Sequence, residues 1–152
     1  MKHCNDGMYS HALIYSPHIV AIRDRDERLT SSSFTAAFIT SAAVNAGHAR
    51  KHAIDERTIR ATLTERARKL LRLAASKGHD GVVLGAWGCG VFQNDPSVVA
   101  AVFAELLASE FRNVFKVVSF ALRDDSNRTA FEKRFGRPGP REETPTSSTA
   151  AE

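Results

Sequence analysis

Residues 81–96 read GVVLGAWGCGVFQNDP, and this stretch limits the possible folds more than any other. Val82, Val83 and Leu84 form a short apolar run unbroken by charge, the pattern of a strand covered on both faces in a parallel sheet. Three glycines, Gly85, Gly88 and Gly90, follow almost at once. Asp95 then offers an N-cap and Pro96 a first helical residue. A strand that passes through a glycine loop into a capped helix is the signature of an α/β architecture.

The flanking sequence supplies the other elements. Ile59, Leu63, Ala67, Leu70, Leu71 and Ala74 recur at three- and four-residue steps, which predicts a helix over 55–77 with Gly78 as its stop. Phe34 to Thr40 reads as a strand, 95–112 as a helix, and 113–122 as a further strand. The order strand, helix, strand, helix, strand predicts a right-handed parallel βαβαβ core. Upstream, Ala12–Tyr15 and Ile19–Ile22 read as two short extended pieces around a Ser-Pro turn. RDRDERLTSSS and NAGHARKHA read as loops, and NRTAFEKRF as one or two helical turns. Residues 137–152, RPGPREETPTSSTAAE, have the composition of a disordered tail, leaving 1–136 as one domain. In such a sheet ligands lie at the carboxyl ends of the strands. The loops TSAAVNAG and GAWGCGVFQND are therefore expected to be neighbours.

Composition narrows the function classes. The chain has 152 residues, 43% of them hydrophobic and 25% charged, which suits one soluble core. No apolar run approaches the roughly 18 residues of a membrane span, and the N-terminus lacks the apolar segment of a secretory signal. Two cysteines make no disulfide framework, so a reducing cytoplasmic setting is expected. The net charge is +4, but basic and acidic residues alternate, as in RDRDER. That is a solvated mixed surface, not a nucleic-acid footprint. His48 and His52 stand four apart without the further ligands a metal site needs. No metal or cofactor is expected, and Asp24 and Asp26 read as parts of a solvated turn.

The glycine loop admits two readings. Its uncovered N–H groups, beside a helix N-terminus, suit a phosphate or diphosphate. A tight turn needing φ > 0 would call for glycine equally well. The motif GxxxxGK[ST] is absent, and a GxGxxG fingerprint begun at Gly88 fails at Gln93. An ATPase and a nicotinamide dehydrogenase are therefore both disfavoured. Trp87 reads as core packing and Phe92 as the better ligand contact, while Asn94 would either meet a ligand or brace the turn. Cys89, among N–H donors near a helix start, would have a lowered thiol pKa, yet no Cys-His nucleophile pattern accompanies it.

Four segments, MYSHALIYSPHIVAIRD, FITSAAVNAG, VVLGAWGCGVFQNDPSVVAAVF and VVSFAL, in this order and spacing, resemble the microbial-type poly(ADP-ribose) glycohydrolases. The resemblance runs from about residue 8 to 135 and implies a truncated, macrodomain-like three-layer sandwich that binds ADP-ribose or poly(ADP-ribose). The ligand residues it implies are Gly85, Ala86, Trp87, Gly88, Cys89, Gly90, Val91, Phe92 and Asn94, with Thr40, Ser41 and Asn45 from the loop after the first strand. Phe92 would lie near the distal ribose. Val44 stands where the family pattern has proline.

One part of the family pattern is missing. Its catalytic loop, Gly-Gly-Gly and later Gln-Glu-Glu, lies N-terminal to YSPH, and this chain has no triple glycine. The only Glu-Glu pair, Glu142 and Glu143, follows Arg141 in the tail. No residue matches the acid that would protonate the leaving ribose oxygen, so no catalytic residue is assigned. The resemblance thus implies a C-terminal portion that is inactive alone, with one sheet edge open for an N-terminal half-chain or a second copy. Two alternatives stand beside it: a glycohydrolase active once a separate N-terminal chain completes it, and a non-catalytic module that binds nucleotide phosphate.

Overall fold

The computed structural model describes residues 6–24 and 26–136. The expected tail, 137–152, lies outside them. Strands β1 (Ile14–Arg23) and β2 (Leu29–Thr40) form an antiparallel hairpin, in register from Ile14 opposite Thr40 to Arg23 opposite Leu29. The two short pieces expected upstream are thus one strand. Pro17, which has no N–H to give a ladder, sits where the register slips between Ser16 and Ile19.

RDRDERLTSSS is a loop only at its start. The Asp24 carboxylate accepts the N–H groups of Asp26 and Arg28 at 2.9 and 3.0 Å and closes the hairpin turn. From Leu29 the chain is already in β2. Its polar residues suggest a loop, but pairing with β1 overrides that weak local preference.

The segment expected to loop out after Asn45 is instead a short helix, α1 (Ala46–Lys51), because the Asn45 side chain caps it by accepting the His48 N–H. Helix α2 (Glu56–Ser76) follows an Asp55 cap, and Ile59, Leu63, Ala67, Leu71 and Ala74 are buried along it as the periodicity predicts. Strand β3 (Gly81–Gly85) leads through the glycine loop to α3 (Pro96–Ala108), which Asp95 caps through the Ser97 N–H at 2.7 Å. Helix α3 stops four residues short of Arg112, and a turn carries the chain to β4 (Val117–Ala121). Helix α4 (Asp125–Phe135) is longer than the turn or two expected. Phe120 of β4 packs on Phe131 and Phe135 at ring distances of 5.0 and 4.5 Å, which gives α4 an apolar anchor.

The fold is α/β, and β3–α3–β4 is its parallel unit, in register from Gly81 opposite Val117 to Gly85 opposite Ala121. The cover on both faces expected of the Val82–Leu84 run is not found: Leu84 is buried against the helices, but Val83, pointing to the opposite face, is 75% exposed. The expected first strand of a βαβαβ sheet departs from that scheme. Among the described residues β2 pairs only with β1, and β3 only with β4. Consecutive elements are neighbours as a tendency only, and here a cleft separates β2 from β3.

Two apolar clusters make the core. One centres on Leu71, Val99, Phe103 and Leu106 between α2, α3 and the parallel pair; the other on Val44, Ala46, Ile59 and Leu63. Trp87 packs against both. No helix among the described residues is long and apolar enough to cross a membrane.

Candidate functional site: the glycine loop and its partner loop

The loop that leaves β3 is a chain of tight turns. Trp87 N–H donates to Gly85 O, Cys89 to Ala86, Gln93 to Gly90 and Asn94 to Gly88, at 2.8–3.1 Å. The N–H groups of Gly88, Gly90, Val91 and Phe92 find no acceptor among the described residues. A protein leaves few such donors without water or a ligand to receive them.

Two of the glycines differ in what they are for. Gly88 has φ +73, and a Cβ there would collide with the Asn94 amide and the Ala43 methyl. The turn itself requires this glycine. Gly90 has no positive φ, and a Cβ there would meet nothing within 4 Å. The bend is thus filled on its inner side by Asn94 and open on its outer side at Gly90.

The expected neighbour loop lies against it. Asn94, 4% exposed, donates through Nδ2 to Val44 O at 2.7 Å and to Gly88 O at 2.9 Å. Gly47 N–H donates to Phe92 O, and Trp87 Nε1 to Ser41 O, both at 3.1 Å. Asn94 therefore braces the turn, and both its N–H groups are committed to protein carbonyls. Asn45 spends its Oδ1 on the α1 cap.

The sequence reading missed one residue that holds this arrangement. Arg66, fully buried, donates to Ala42 O at 2.7 Å, to Met8 O at 2.6 Å and to Tyr9 O at 3.3 Å. It fastens the 41–45 loop and the segment before β1 onto α2. The signal was present: Arg66 occupies the apolar stripe of α2 one residue before Ala67, and a cation in a buried stripe must be hydrogen-bonded.

Of the twelve residues expected to meet ligand, Thr40, Ser41, Gly85, Ala86 and Trp87 line one pocket of about 430 Å³ at the carboxyl ends of β2 and β3. Gly88–Phe92 lie along the loop beyond it, with Gly90 and Val91 exposed. Phe92 is half-buried, and its ring lies 5.7 Å from that of Tyr9. Trp87, with its ring 6.5 Å from Phe103, is core packing as expected.

The thiol expectation fails. Cys89 is pushed up to about 11, first by burial and then by the Asp95 charge. Desolvation of the thiolate outweighs the neighbouring N–H dipoles. At neutral pH this is a protonated, inert side chain.

No Asp or Glu is among the described residues lining the pocket or the cleft that opens from it. The described residues also contain no group of three His, Cys, Asp or Glu side chains placed to hold a metal. His52 Nδ1 lies 3.1 Å from His48 O, so this pair is a local helix-end contact. The site can therefore present amides and an aromatic edge to a ligand, and the nearest carboxylate the loop feels is that of Asp95, the α3 cap.

Solved structures share this fold. Over 84% of this chain, the poly(ADP-ribose) glycohydrolase of Deinococcus radiodurans in complex with ADP-ribose superposes with a TM-score of 0.79 and 38% identity, and the match takes in 54% of that chain. The apo form of the same protein matches 87% of this chain and 57% of its own, with a TM-score of 0.80 and 37% identity. The glycohydrolase of Thermomonospora curvata matches 86% of this chain and 49% of its own, with a TM-score of 0.78 and 41% identity. This chain thus spans about half the length of the solved proteins it matches. No protein-family model matches it, and no curated protein does.

Proposed function

We propose that this chain, which has the fold of the C-terminal part of a bacterial poly(ADP-ribose) glycohydrolase, binds ADP-ribose with the diphosphate against the loop from Gly85 to Phe92. One observation carries the reading: the amides of Gly88, Gly90, Val91 and Phe92 have no acceptor among the described residues. Successive unpaired amides in a turn attract an anion, and the open space at Gly90 lets a phosphate approach the backbone. The match to a protein solved with ADP-ribose supports the choice of anion. Thr40, Ser41, Gly85, Ala86 and Trp87 would form the wall beside it, Phe92 would border the distal ribose, and Val91 would contribute its N–H. Asn94, Cys89 and Asn45 would shape the site from behind.

Cleavage of the glycosidic bond is not part of the proposed activity of this chain alone. The departing ribose oxygen needs a proton donor, and no carboxylate lines the pocket or cleft among the described residues. An N-terminal portion carrying Gly-Gly-Gly and Gln-Glu-Glu would restore turnover.

Calorimetry with ADP-ribose, AMP and inorganic phosphate tests the reading. ADP-ribose should bind at least tenfold more tightly than phosphate, and Gly88→Val should abolish the heat by forcing the two loops apart. Equal affinity for all three would reduce the site to an unselective anion nest. Release of ADP-ribose from poly(ADP-ribose) by the pure chain would show that an acid has been overlooked.

A further inference from the structure

Gln93 closes the glycine loop in a conformation that few residues with a Cβ adopt. Its φ is +56, in the left-handed region where glycine is the ordinary occupant. A larger residue stays there only when its surroundings fix the peptide on either side. Helix α1 does this. Phe92 O accepts the Gly47 N–H at 3.1 Å, and Gln93 O accepts Nη1 of Arg50 at 3.0 Å. Both carbonyls that flank the Gln93 Cα are therefore tied to one short helix.

Arg50 is itself held. Its Nε and Nη2 donate to the two carboxylate oxygens of Glu56, a fork that orients the guanidinium as well as pairing it. Glu56 is the first residue of α2, a 21-residue helix capped by Asp55. Support thus runs from α2 through Arg50 to the end of the loop. Each of the three guanidinium nitrogens has a protein acceptor, so Arg50 acts on a ligand through the loop. Both side chains of the pair are more than a third exposed, so the pair adds little to overall stability. Its effect is local.

We propose that Arg50, oriented by Glu56, is a positioning residue for anion binding at the glycine loop. It holds Gln93 left-handed and so keeps Gly90, Val91 and Phe92 in the turn that leaves their N–H groups unpaired. This inference rests on the reading of the loop as a diphosphate site. The rival account is charge alone, since a cation near the loop would attract a diphosphate without fixing the backbone. The two accounts differ in sign at Glu56. Glu56→Gln removes a negative charge and leaves Arg50 cationic but unfastened. Charge attraction then predicts tighter binding, and positioning predicts weaker binding.

The test combines calorimetry with ADP-ribose and amide hydrogen exchange at Gln93 and Asn94, whose N–H groups close the loop onto Gly90 O and Gly88 O. Arg50→Met and Glu56→Gln should each weaken ADP-ribose binding at least threefold and speed exchange at these two amides at least fivefold. The urea midpoint and exchange within β3 and β4 should stay unchanged. Gln93→Gly, which relieves the left-handed penalty, should shrink the effect of Arg50→Met on affinity. Unchanged exchange in both charge variants, or tighter ADP-ribose binding by Glu56→Gln, would overturn the proposal. Should the parent chain give no heat with ADP-ribose, the ligand reading fails, and the exchange rates alone decide whether Arg50 holds the loop.

Discussion

The hairpin and the β3–α3–β4 unit are both built on two paired strands, yet they are held in unlike ways. The parallel unit is packed firmly on one face, where Val99, Phe103 and Leu106 of α3 and Phe131 of α4 are almost wholly buried, while Val83 and Val117 on its other face are exposed. The hairpin has the longer strands, but Ile14, Leu29, Phe34 and Phe38 are each more than half exposed. Its side-chain ties to the rest are few, chiefly the Tyr15 hydroxyl 2.9 Å from His79 Nε2, with Lys77 over the Tyr15 ring. Backbone pairing by itself is a weak source of stability, because water offers the same hydrogen bonds. A two-stranded sheet becomes robust only when one face is buried. The contrast teaches that stability is unevenly spread, concentrated where helices cover the parallel pair and thin along the hairpin.

Four measurements would sharpen or break that contrast. The largest effect is expected inside the parallel unit: Phe103→Ala should cost about 3–5 kcal/mol in urea unfolding, through lost burial and the cavity left behind. Arg66→Met comes next. It strips the donors from three backbone carbonyls at the junction of α2 with the 41–45 loop, and about 2–4 kcal/mol should be lost. In the hairpin, Ile14→Ala should change stability by no more than about 0.5 kcal/mol, since that side chain is 64% exposed. A cost above about 2 kcal/mol there would mean that the hairpin is covered after all.

The smallest effect concerns acid. His11, just before β1, is held below its ordinary value first by burial and then by the charges of Arg66 and Lys69, with Glu65 opposing. A depressed histidine resists protonation in the folded state, so its contribution is present above the unfolded value near 6.5 and is lost as pH falls through the folded one. Thermal melts from pH 7.5 down to 5 should show a modest loss of stability that His11→Gln removes. Equal loss in that variant would place the acid-sensitive group elsewhere.

Much of the parallel unit was legible in the sequence because its signals are local. The Asp95-Pro96 cap, the α2 stripe and the charge-free VVL run each specify an element without help from distant contacts. The juxtaposition of the two loops followed from the strand order, and the turn chemistry at Gly88 from its residue type. What escaped the reading depends on pairing or context. The serine-rich start of β2 is a strand because β1 lies beside it, and α1 is a helix because Asn45 caps a segment that Gly47 and His48 make ambiguous. An open sheet edge was expected from the family resemblance, but its place between β2 and β3 was not, since the order of elements alone put these two strands side by side. At Cys89 the dipole argument was sound but incomplete, for burial by residues far along the chain decided the sign.

The Asn94 clasp has a thermodynamic corollary. With one amide already stitching Val44 to Gly88, the backbone around the bend is preorganised, and a guest has little chain freedom left to freeze. If the proposed diphosphate binds here, its affinity would be governed by stripping water from phosphate oxygens and by their charge, and it should fall steadily with added salt and hardly respond to agents that merely loosen loops.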